Sequence, residues 1–231
     1  MKNCITILTG AGISAESGLG TFRDEGGLWA QHRIEDVATP EGFVRNPELV
    51  QSFYNARRAQ AAEAVPNAAH FALAELEAGY DGEVLIVTQN VDGLHEKAGS
   101  KNVLHMHGAL TGALCAACEH RWEAPLVMHV TDSCPNCAAQ ATRPDIVWFG
   151  EMPYGMEQID DTLQRSTLFA SIGTSGNVYP AAGFVAEARR LGCPTLELNL
   201  EPSEGYSLFD DSRLGPASQT VPLWVAEVLK P

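Results

Sequence analysis

Four polar residues that could take part in catalysis fall within one stretch of 25 residues, from 84 to 108: Asn90, Asp92, His105 and His107. A histidine that titrates near neutral pH can act as a general base, and neighbouring amide and carboxylate groups can hold a polar ligand beside it. The simpler interpretation is that Asn90 and Asp92 form a turn or cap a helix and that both histidines are structural. The rest of the chain must decide between these interpretations.

Asn90 and Asp92 follow one short apolar run, and His105 and His107 lie at the end of a second. These runs set the positions of the four residues. The run Val84–Thr88 is uncharged and rich in β-branched residues, which is typical of a buried strand in a parallel sheet. Open α/β sheets bind ligands at the carboxyl ends of such strands. If the backbone stays extended, alternation directs Asn90 and Asp92 to one side, and likewise His105 and His107 to one side of the second run. The sequence therefore predicts a ligand site at this edge of the sheet.

The composition is that of one globular core with a small appendage. The 231 residues include 29 acidic and 15 basic side chains, which gives a net charge of −14. Such an acidic surface repels a nucleic-acid backbone and favours cationic partners such as lysine-rich proteins, although acidity can also serve solubility alone. We therefore expect no nucleic-acid partner.

Neither the apolar runs nor the cysteines indicate export or a membrane. No run approaches the roughly 18 to 20 apolar residues of a membrane span, and the apolar part of the start MKNCITILTG is too short for a signal peptide. Six cysteines without a secretory signal favour metal binding or chemistry over disulfides. We expect a cytoplasmic protein without a membrane partner, in which Cys4 and Cys193 are buried thiols.

The other four cysteines form two C-x2-C pairs that are separated by fifteen residues. This spacing predicts one zinc ion bound by Cys115, Cys118, Cys134 and Cys137. Four sulfur ligands leave no open position for water, so the metal is expected to be structural. A nucleic-acid-binding ribbon is the rival use of such a module, but Arg121 is its only Lys or Arg between residues 112 and 142.

Glycine-rich turns follow two predicted strands. Strand Cys4–Thr9 leads into GAGISA, which fits a dinucleotide fingerprint in which glycines let the backbone approach a pyrophosphate. No strand ending in Asp or Glu follows about 20 residues later, which puts an ordinary Rossmann layout in doubt. Strand Leu168–Ile172 leads into GTSGN, a second candidate for phosphate or ribose contacts. The glycine-rich segment Gly18–Trp29 is interpreted as a lid or as a flexible loop.

The remaining segments alternate between the two kinds of secondary structure, which indicates the α/β class. The sheet is expected to draw strands from both ends of the chain, with the zinc module inserted in the middle. The predicted helices are Pro47–Glu63, Ala68–Ala78, Met156–Thr167 and Pro180–Leu191, and the further predicted strands are Ile146–Phe149 and Thr195–Leu200.

Taken together, these motifs resemble the sirtuins, a family of NAD-dependent protein-lysine deacylases. The resemblance covers nearly the whole chain, and Tyr54 and Arg57 match the Y-x-x-R pair of the bacterial branch that also contains the mitochondrial desuccinylase. Val91 departs from the usual Ile of the N-I-D motif by one methylene. The matching segments are GAGISAESG at 10–18, TFR at 21–23, TQNVDGLHEKAG at 88–99, HMHG at 105–108, the two C-x2-C pairs, IVWFGE at 146–151, GTSGNVYPAAGF at 173–184 and LNLEPS at 198–203.

The resemblance implies a Rossmann-like parallel-sheet domain and a smaller discontinuous domain, with NAD and acyl-lysine meeting in the cleft between them. The Rossmann-like domain would comprise residues 1–30, 67–110 and 145–231. The smaller domain would comprise a helical part, 31–66, and a zinc ribbon, 111–144. A monomer is expected.

The resemblance also implies roles for individual residues. Asn90 and Asp92 would hold the nicotinamide end of NAD, and His107 would act as general base on a ribose hydroxyl, while His105 would be structural. The products would be nicotinamide, free lysine and O-acyl-ADP-ribose. The implied NAD contacts are Gly10, Ala11, Gly12, Ile13, Ser14, Ala15, Glu16, Thr21, Phe22, Arg23, Trp29, Gln89, Asn90, Val91, Asp92, His107, Gly173, Thr174, Ser175, Asn199, Leu200, Glu201 and Ala217.

The substrate would be an acyl-lysine in a protein or peptide. Tyr54 and Arg57 lie at i and i+3 of a predicted helix, so they can converge on the carboxylate of a succinyl or malonyl group. The backbone of Val147, Trp148 and Phe149 would pair with the peptide as an added strand. Two other functions remain open: an NAD-dependent ADP-ribosyltransferase, which would keep the same residues, and a non-catalytic ADP-ribose-binding module, against which the intact Asn90, Asp92 and His107 argue.

Overall fold

The computed structural model describes residues 3–20 and 31–230. The strands of this part are β1 (Asn3–Thr9), β2 (Gly82–Thr88), β3 (Val103–His105), β4 (Gly108–Cys115), β5 (Arg121–Glu123), β6 (Thr142–Ile146), β7 (Leu168–Ile172), β8 (Thr195–Asn199) and β9 (Asp211–Leu214). The α-helices are α1 (Gly12–Ala15), α2 (Ile34–Val37), α3 (Pro40–Arg45), α4 (Pro47–Glu63), α5 (Ala68–Gly79), α6 (Leu94–Ala98), α7 (Met156–Arg165), α8 (Phe184–Arg190) and α9 (Ala217–Val228).

Six of these strands form one parallel sheet in the order β3-β2-β1-β7-β8-β9. Counted by their appearance in this sheet, they follow the order 3-2-1-4-5-6, which is that of a doubly wound Rossmann sheet. The doubt raised by the missing acidic residue was therefore wrong, because strand order does not depend on that residue. The predicted α/β class is confirmed, and the carboxyl ends of β1 and β7 meet where the order reverses.

Alternating side chains of the buried strands enter two cores, one on each face of the sheet. Ile5 and Ile7 of β1 pack with α5 and α9, whereas Leu8 packs with α7 and α8. The side chains of β2 alternate in the same way, with Ile86 in the core on the first face of the sheet and Val87 in the core on the second. Each such fully buried aliphatic side chain contributes about 1.5 to 3 kcal/mol relative to an exposed one. The sheet is thus anchored on both faces, which holds its carboxyl edge in place.

Local sequence signals set the limits of α4, which lies beside the cleft described below. Asn46 caps its start by accepting a hydrogen bond from Leu49 N at 3.0 Å, and Pro47 occupies the first helical position. The helix ends at Glu63, where Lys97 Nζ donates to the carbonyl oxygens of Ala61 and Ala64, at 2.8 and 3.1 Å. The predicted bounds, Pro47–Glu63, are confirmed.

A second sheet of three antiparallel strands, β5-β4-β6, carries the cysteine pairs. The predicted strand Ile146–Phe149 was wrong, because the strand is β6 and ends at Ile146. The apolar run that follows is extended without pairing in the sheet: Val147 N donates to His107 O and Phe149 N to Ala38 O. Pro144 made the true strand look like a loop, but β6 lies at the sheet edge, where a proline costs no ladder hydrogen bond.

A third cluster of buried side chains joins α2 and α4 to the small sheet and to Trp148. Phe53, Tyr54 and Trp148 are its largest members, and their rings contact one another, with centroids 5.2 Å apart for the first pair and 6.5 Å for the second and third. The cluster places one face of α4 against the carboxyl edge of the parallel sheet. The domain boundaries given above stay predictions.

Smaller differences from prediction occur at the ends of elements. The helix predicted over Met156–Thr167 ends at Arg165, because Thr167 N already donates to Cys4 O in the sheet. The helix predicted over Pro180–Leu191 begins as a 3-10 turn over Ala181–Gly183 before α8. Within residues 3–20 and 31–230, no helix combines the length and apolar character needed to cross a membrane.

Candidate active site

A cleft of about 800 Å³ opens where the carboxyl ends of β1, β2, β7 and β8 face α4 and the small sheet. This is the switch point of the doubly wound order, where such sheets bind ligands. Twenty of the predicted site residues line it: Gly10, Ala11, Gly12, Ser14, Tyr54, Arg57, Gln89, Asn90, Val91, Asp92, His107, Val147, Trp148, Phe149, Gly173, Thr174, Ser175, Asn199, Leu200 and Glu201.

Other predicted NAD contacts lie elsewhere. Ile13 is fully buried in the core on one face of the sheet, and Ala15 does not line the cleft. Glu16 accepts a hydrogen bond from Ser218 N at 3.1 Å, which ties the turn after α1 to the start of α9, where Ala217 is buried. Thr21, Phe22, Arg23 and Trp29 lie outside the described residues.

The two glycine-rich turns touch each other across the switch point. A Cβ at Gly10 would lie 2.8 Å from Gly173 O, and one at Gly12 would lie 2.8 Å from Gly173 Cα, so neither position has room for a side chain. The N–H of Gly12 donates to Gly173 O at 2.8 Å, and those of Ile13 and Ser14 donate to carbonyls of the first turn. These three N–H groups are therefore engaged within the protein, and the use of this turn as a phosphate cradle stays a prediction.

Asn90 and Asp92 share the hydroxyl of Ser14. Asn90 Nδ2 donates to Ser14 Oγ at 3.1 Å, and Ser14 Oγ donates to Asp92 Oδ2, also at 3.1 Å. Asp92 also accepts from Leu94 N at 3.1 Å, so it caps α6 as well as lining the cleft. Burial raises the pKa of Asp92, and these two hydrogen bonds only partly oppose that effect. Asp92 thus contacts the first turn of α6 and also lines the cleft, and its role toward a ligand stays a prediction.

His107 faces the cleft with a defined tautomer. Its Nδ1 lies 3.1 Å from Gln89 O, and a carbonyl can only accept, so Nδ1 carries the proton and Nε2 keeps a lone pair. Burial lowers the pKa of His107, and the Gln89 carbonyl opposes that effect in part. The ring is therefore neutral at neutral pH, which is the state that a general base requires.

The prediction that His105 and His107 face one side was wrong. The strand β3 ends at His105, and the chain then turns, so only His107 lines the cleft. His105 instead donates from Nδ1 to Asn90 O at 3.0 Å and from Nε2 to Glu96 Oε1 at 2.7 Å. Burial acts to lower the pKa of His105, but the Glu96 carboxylate outweighs it and raises the pKa overall. This placement agrees with a structural role, which stays a prediction.

Two histidines that the motif analysis did not single out lie behind Ser14. His70 Nε2 is 3.4 Å from Ser14 Oγ, His95 Nε2 is 3.1 Å from Thr9 Oγ1, and the two ring centroids are 5.1 Å apart. Burial lowers the pKa of His70 to about 4 and that of His95 to about 3. Both rings are therefore neutral parts of the support behind the cleft.

The helix α4 contributes Tyr54 and Arg57 to the cleft wall. Arg57 Cζ lies 5.8 Å from the ring centroids of both Phe53 and Tyr54. Burial lowers the pKa of Arg57, while Tyr54 and Asp92 act to raise it. Tyr54 is only 1% exposed and accepts a hydrogen bond from Trp148 Nε1 at 3.0 Å. A guanidinium and a phenol thus lie together in the cleft that also holds His107.

Several lining residues were not predicted. Ala61 follows Arg57 by one helical turn, so the helical period could have revealed it. The others, including Gln60 at i+3 of Arg57, come from α4, the small sheet, loops and motif segments that were matched without being assigned a role in the site. They are Gly18, Leu19, Gly20, Ala38, Gln60, Leu110, Ile146, Gly150, Glu151, Pro153, Val178, Tyr179, Pro202, Ser203 and Glu204.

The four cysteines of the small sheet form one cluster. The Sγ atoms of Cys115 and Cys137 are 3.7 Å apart, as are those of Cys118 and Cys134, and all four ligand atoms lie within 4.8 Å of one another. Tetrahedral zinc with Zn–S bonds of about 2.3 Å requires sulfur separations of about 3.8 Å. The residues therefore fit a zinc ion.

Comparison with known proteins agrees with this structure. The fold and the cysteine cluster define an α/β protein with a Rossmann-like sheet and a candidate zinc module, and the Sir2 family model matches residues 10–180. The chain belongs to the Sir2 family, which confirms the family predicted from its motifs.

A relative from Caulobacter vibrioides, named NAD-dependent protein deacylase, is 56% identical over 229 residues, or 97% of this chain and 96% of the relative. A solved complex of a Sir2 homolog with NAD has a TM-score of 0.91 at 36% identity, covering 99% of this chain and 91% of that one. A mutant Sir2 homologue with 2′-O-acetyl ADP ribose has a TM-score of 0.89 at 36% identity, with coverages of 98% and 92%. The enzyme class of the relative is the one predicted for this chain.

Proposed function

We propose that this protein is an NAD-dependent protein-lysine deacylase that removes acetyl, malonyl and succinyl groups and transfers them to ADP-ribose. The observation that carries the proposal is that neutral His107, with Nε2 unprotonated, shares one cleft with Asn90 and Asp92 and with the Tyr54–Arg57 pair. The names and ligands of the Sir2 relatives support the use of NAD and of protein substrates.

The residues present fit a dinucleotide. The cleft runs from Asn199 and Glu201, beyond β8, past the glycine turns to Asp92, and the glycines keep its floor free of side chains. NAD, when bound, supplies an activated ribose carbon and the hydroxyl that receives the acyl group. Asn90 and Asp92 orient the nicotinamide end, because Ser14 holds both side chains in place.

His107 accepts the proton of a ribose hydroxyl at Nε2. The hydrogen bond from Nδ1 to Gln89 O prevents the ring from turning over and stabilises the positive charge that develops when Nε2 is protonated. A positioned base of this kind contributes about 100- to 10,000-fold to the rate.

The substrate peptide lies along residues 147–149. The N–H groups of Val147, Trp148 and Phe149 donate to His107 O, Glu151 and Ala38 O within the protein. Trp148 O already accepts from Glu151 N at 2.9 Å, so the carbonyl oxygens of Val147 and Phe149, rather than the N–H groups of the segment, accept hydrogen bonds from the peptide. The acyl chain points toward Tyr54 and Arg57, where a terminal carboxylate gains charge-assisted hydrogen bonds.

Zinc has a structural role in this proposal. Cys115, Cys118, Cys134 and Cys137 hold it, and their four thiolates leave no position for a reacting water. The metal stabilises the small sheet, whose strands β4 and β6 contribute to the cleft wall.

Mass spectrometry of succinylated, malonylated and acetylated histone-type peptides, with and without NAD, tests the proposal. We expect NAD-dependent loss of the acyl mass and appearance of O-acyl-ADP-ribose. An ADP-ribosylated peptide with its acyl group intact would support the transferase instead. Binding of ADP-ribose without any turnover of NAD would support the non-catalytic module.

A further inference from the structure

The phenol of Tyr54 is held by Trp148, a residue of a different element that lines the same cleft. Trp148 Nε1 donates to Tyr54 Oη at 3.0 Å, and both side chains are nearly inaccessible, Tyr54 at 1% and Trp148 at 2% exposure. These two residues are 94 positions apart in the chain. The bond therefore depends on the docking of α4 against the segment that follows β6.

Trp148 is itself fixed by a partly buried ion pair. Arg143 Nη1 and Nη2 bind the two carboxylate oxygens of Glu151 at 2.6 and 2.8 Å, and Arg143 Cζ lies 3.5 Å from the Trp148 ring centroid. Glu151 Oε2 also accepts from the backbone N–H of Trp148 at 2.9 Å. The indole is thus held by its face and its backbone, which directs its N–H at Tyr54.

This arrangement determines which way the Tyr54 proton points. An indole N–H can only donate, so the bond from Trp148 uses a lone pair of Tyr54 Oη. Burial raises the pKa of Tyr54, which keeps the phenol protonated. Arg57, whose charge also acts on Tyr54, is also only a donor. The Tyr54 proton therefore needs an acceptor, and no hydrogen bond within the described part of the chain provides one.

We propose that Trp148 is a positioning residue that makes Tyr54 a hydrogen-bond donor toward the acyl chain and so selects acyl groups that end in a carboxylate. A succinyl or malonyl carboxylate accepts the Tyr54 proton, whereas an acetyl methyl group cannot. The inference rests on the proposed deacylase function and names the group that gives its acyl pocket its preference.

Calorimetric binding of succinyl-lysine and acetyl-lysine forms of one peptide tests this inference. The variants are W148F, which removes the indole N–H, and replacement of Trp148 by β-(3-benzothienyl)alanine, which has sulfur in place of the N–H and keeps the bicyclic shape. We expect the preference for the succinyl peptide, as a ratio of Kd values, to fall about 5- to 30-fold in both. The matched control W122F alters a tryptophan on β5 and should keep the wild-type ratio.

A double-mutant cycle with Y54F separates orientation of the phenol from packing. If Trp148 acts through Tyr54, W148F should lower the ratio little further in the Y54F background. An equal fall in both backgrounds would overturn the inference, as would an unchanged ratio in the benzothienyl variant. If the proposed function is wrong, wild type will release no acyl group from either peptide when NAD is present. The binding ratios do not depend on this reaction, so they would still decide the role of Trp148.

Discussion

The imidazole Nδ1 of His107 lies 3.1 Å from the carbonyl oxygen of Gln89, the first residue after β2. This contact links the end of a buried strand to the ring that we assign as base, and it sets the tautomer before any ligand binds. Because β2 is held on both faces by the cores, the carbonyl has little freedom to move away. The position of the base thus follows from the packing of the sheet.

Replacing His107 should remove most turnover while preserving NAD binding. In H107A the ribose hydroxyl has no base, so kcat should fall about 100- to 10,000-fold, whereas the Kd for NAD, measured by calorimetry, should change little. The comparison variant is H105Q, which breaks the contact with Glu96 and should act mainly by lowering stability. Loss of NAD binding with an unchanged kcat in H107A would reverse the assignment.

Replacing Arg57 should lower the activity on acyl groups that end in a carboxylate much more than the activity on acetyl groups. A charge-assisted hydrogen bond is worth about 1.5 to 3 kcal/mol, so R57M should lower kcat/KM for a succinyl peptide roughly 10- to 150-fold and affect the acetyl peptide much less. R45M, which removes an exposed guanidinium from α3, serves as control and should keep both values near wild type. Equal losses on both peptides in R57M would show that Arg57 is scaffolding of the pocket.

Much of the fold could be predicted because the buried strands are continuous apolar runs. The limits of β7 and α4 follow from such signals, with Asn46 and Pro47 marking the start of the helix. The strand β6 was missed since its sequence, TRPDI, contains two charges and a proline, which a strand accommodates at a sheet edge. Local patterns report burial and caps well, but they do not report which edge a strand occupies.

Part of the candidate site could likewise be predicted from the sequence, and part could not. Motif resemblance named His107, Asp92 and Arg57, and the structure brings all three to one cleft. The contact of Trp148 with Tyr54 could not be predicted, because it joins residues 94 positions apart through the docking of two elements. Such support depends on tertiary packing, for which a single sequence carries no local pattern.

Zinc should be required for the fold of the small sheet. We expect one zinc per chain by elemental analysis, and C115S should leave three thiolates around a poorly held ion. The variant should lose the metal, melt at a lower temperature by circular dichroism and lose activity. C193S, which alters a buried thiol far from the cluster in sequence, is the control for a cysteine replacement and should keep its zinc. Full activity after complete chelation would contradict the prediction.

Stability should fall in acid because His70 and His95 are buried as neutral rings. Burial lowers the pKa of His70 to about 4 and of His95 to about 3, whereas the ordinary value is 6.5. A group with a lowered folded-state pKa binds fewer protons in the native state, so its stabilisation is present above pH 6.5 and is lost progressively as the pH falls toward 4 and then 3. Each ring should therefore contribute a loss of about 2 kcal/mol in the free energy of unfolding between pH 7 and pH 5.

Urea unfolding of wild type and H95Q at pH 7 and pH 5 measures this contribution. The variant has no ring to protonate at this position, so its free energy of unfolding should decrease by about 2 kcal/mol less than that of wild type between the two pH values. H129Q, at an exposed position, is the control and should show the wild-type decrease. Release of zinc in acid affects all three proteins alike, and it cancels in the difference between them. If H95Q and wild type lost equal stability between pH 7 and pH 5, the folded and unfolded states would bind protons equally at His95, and burial would not lower its pKa.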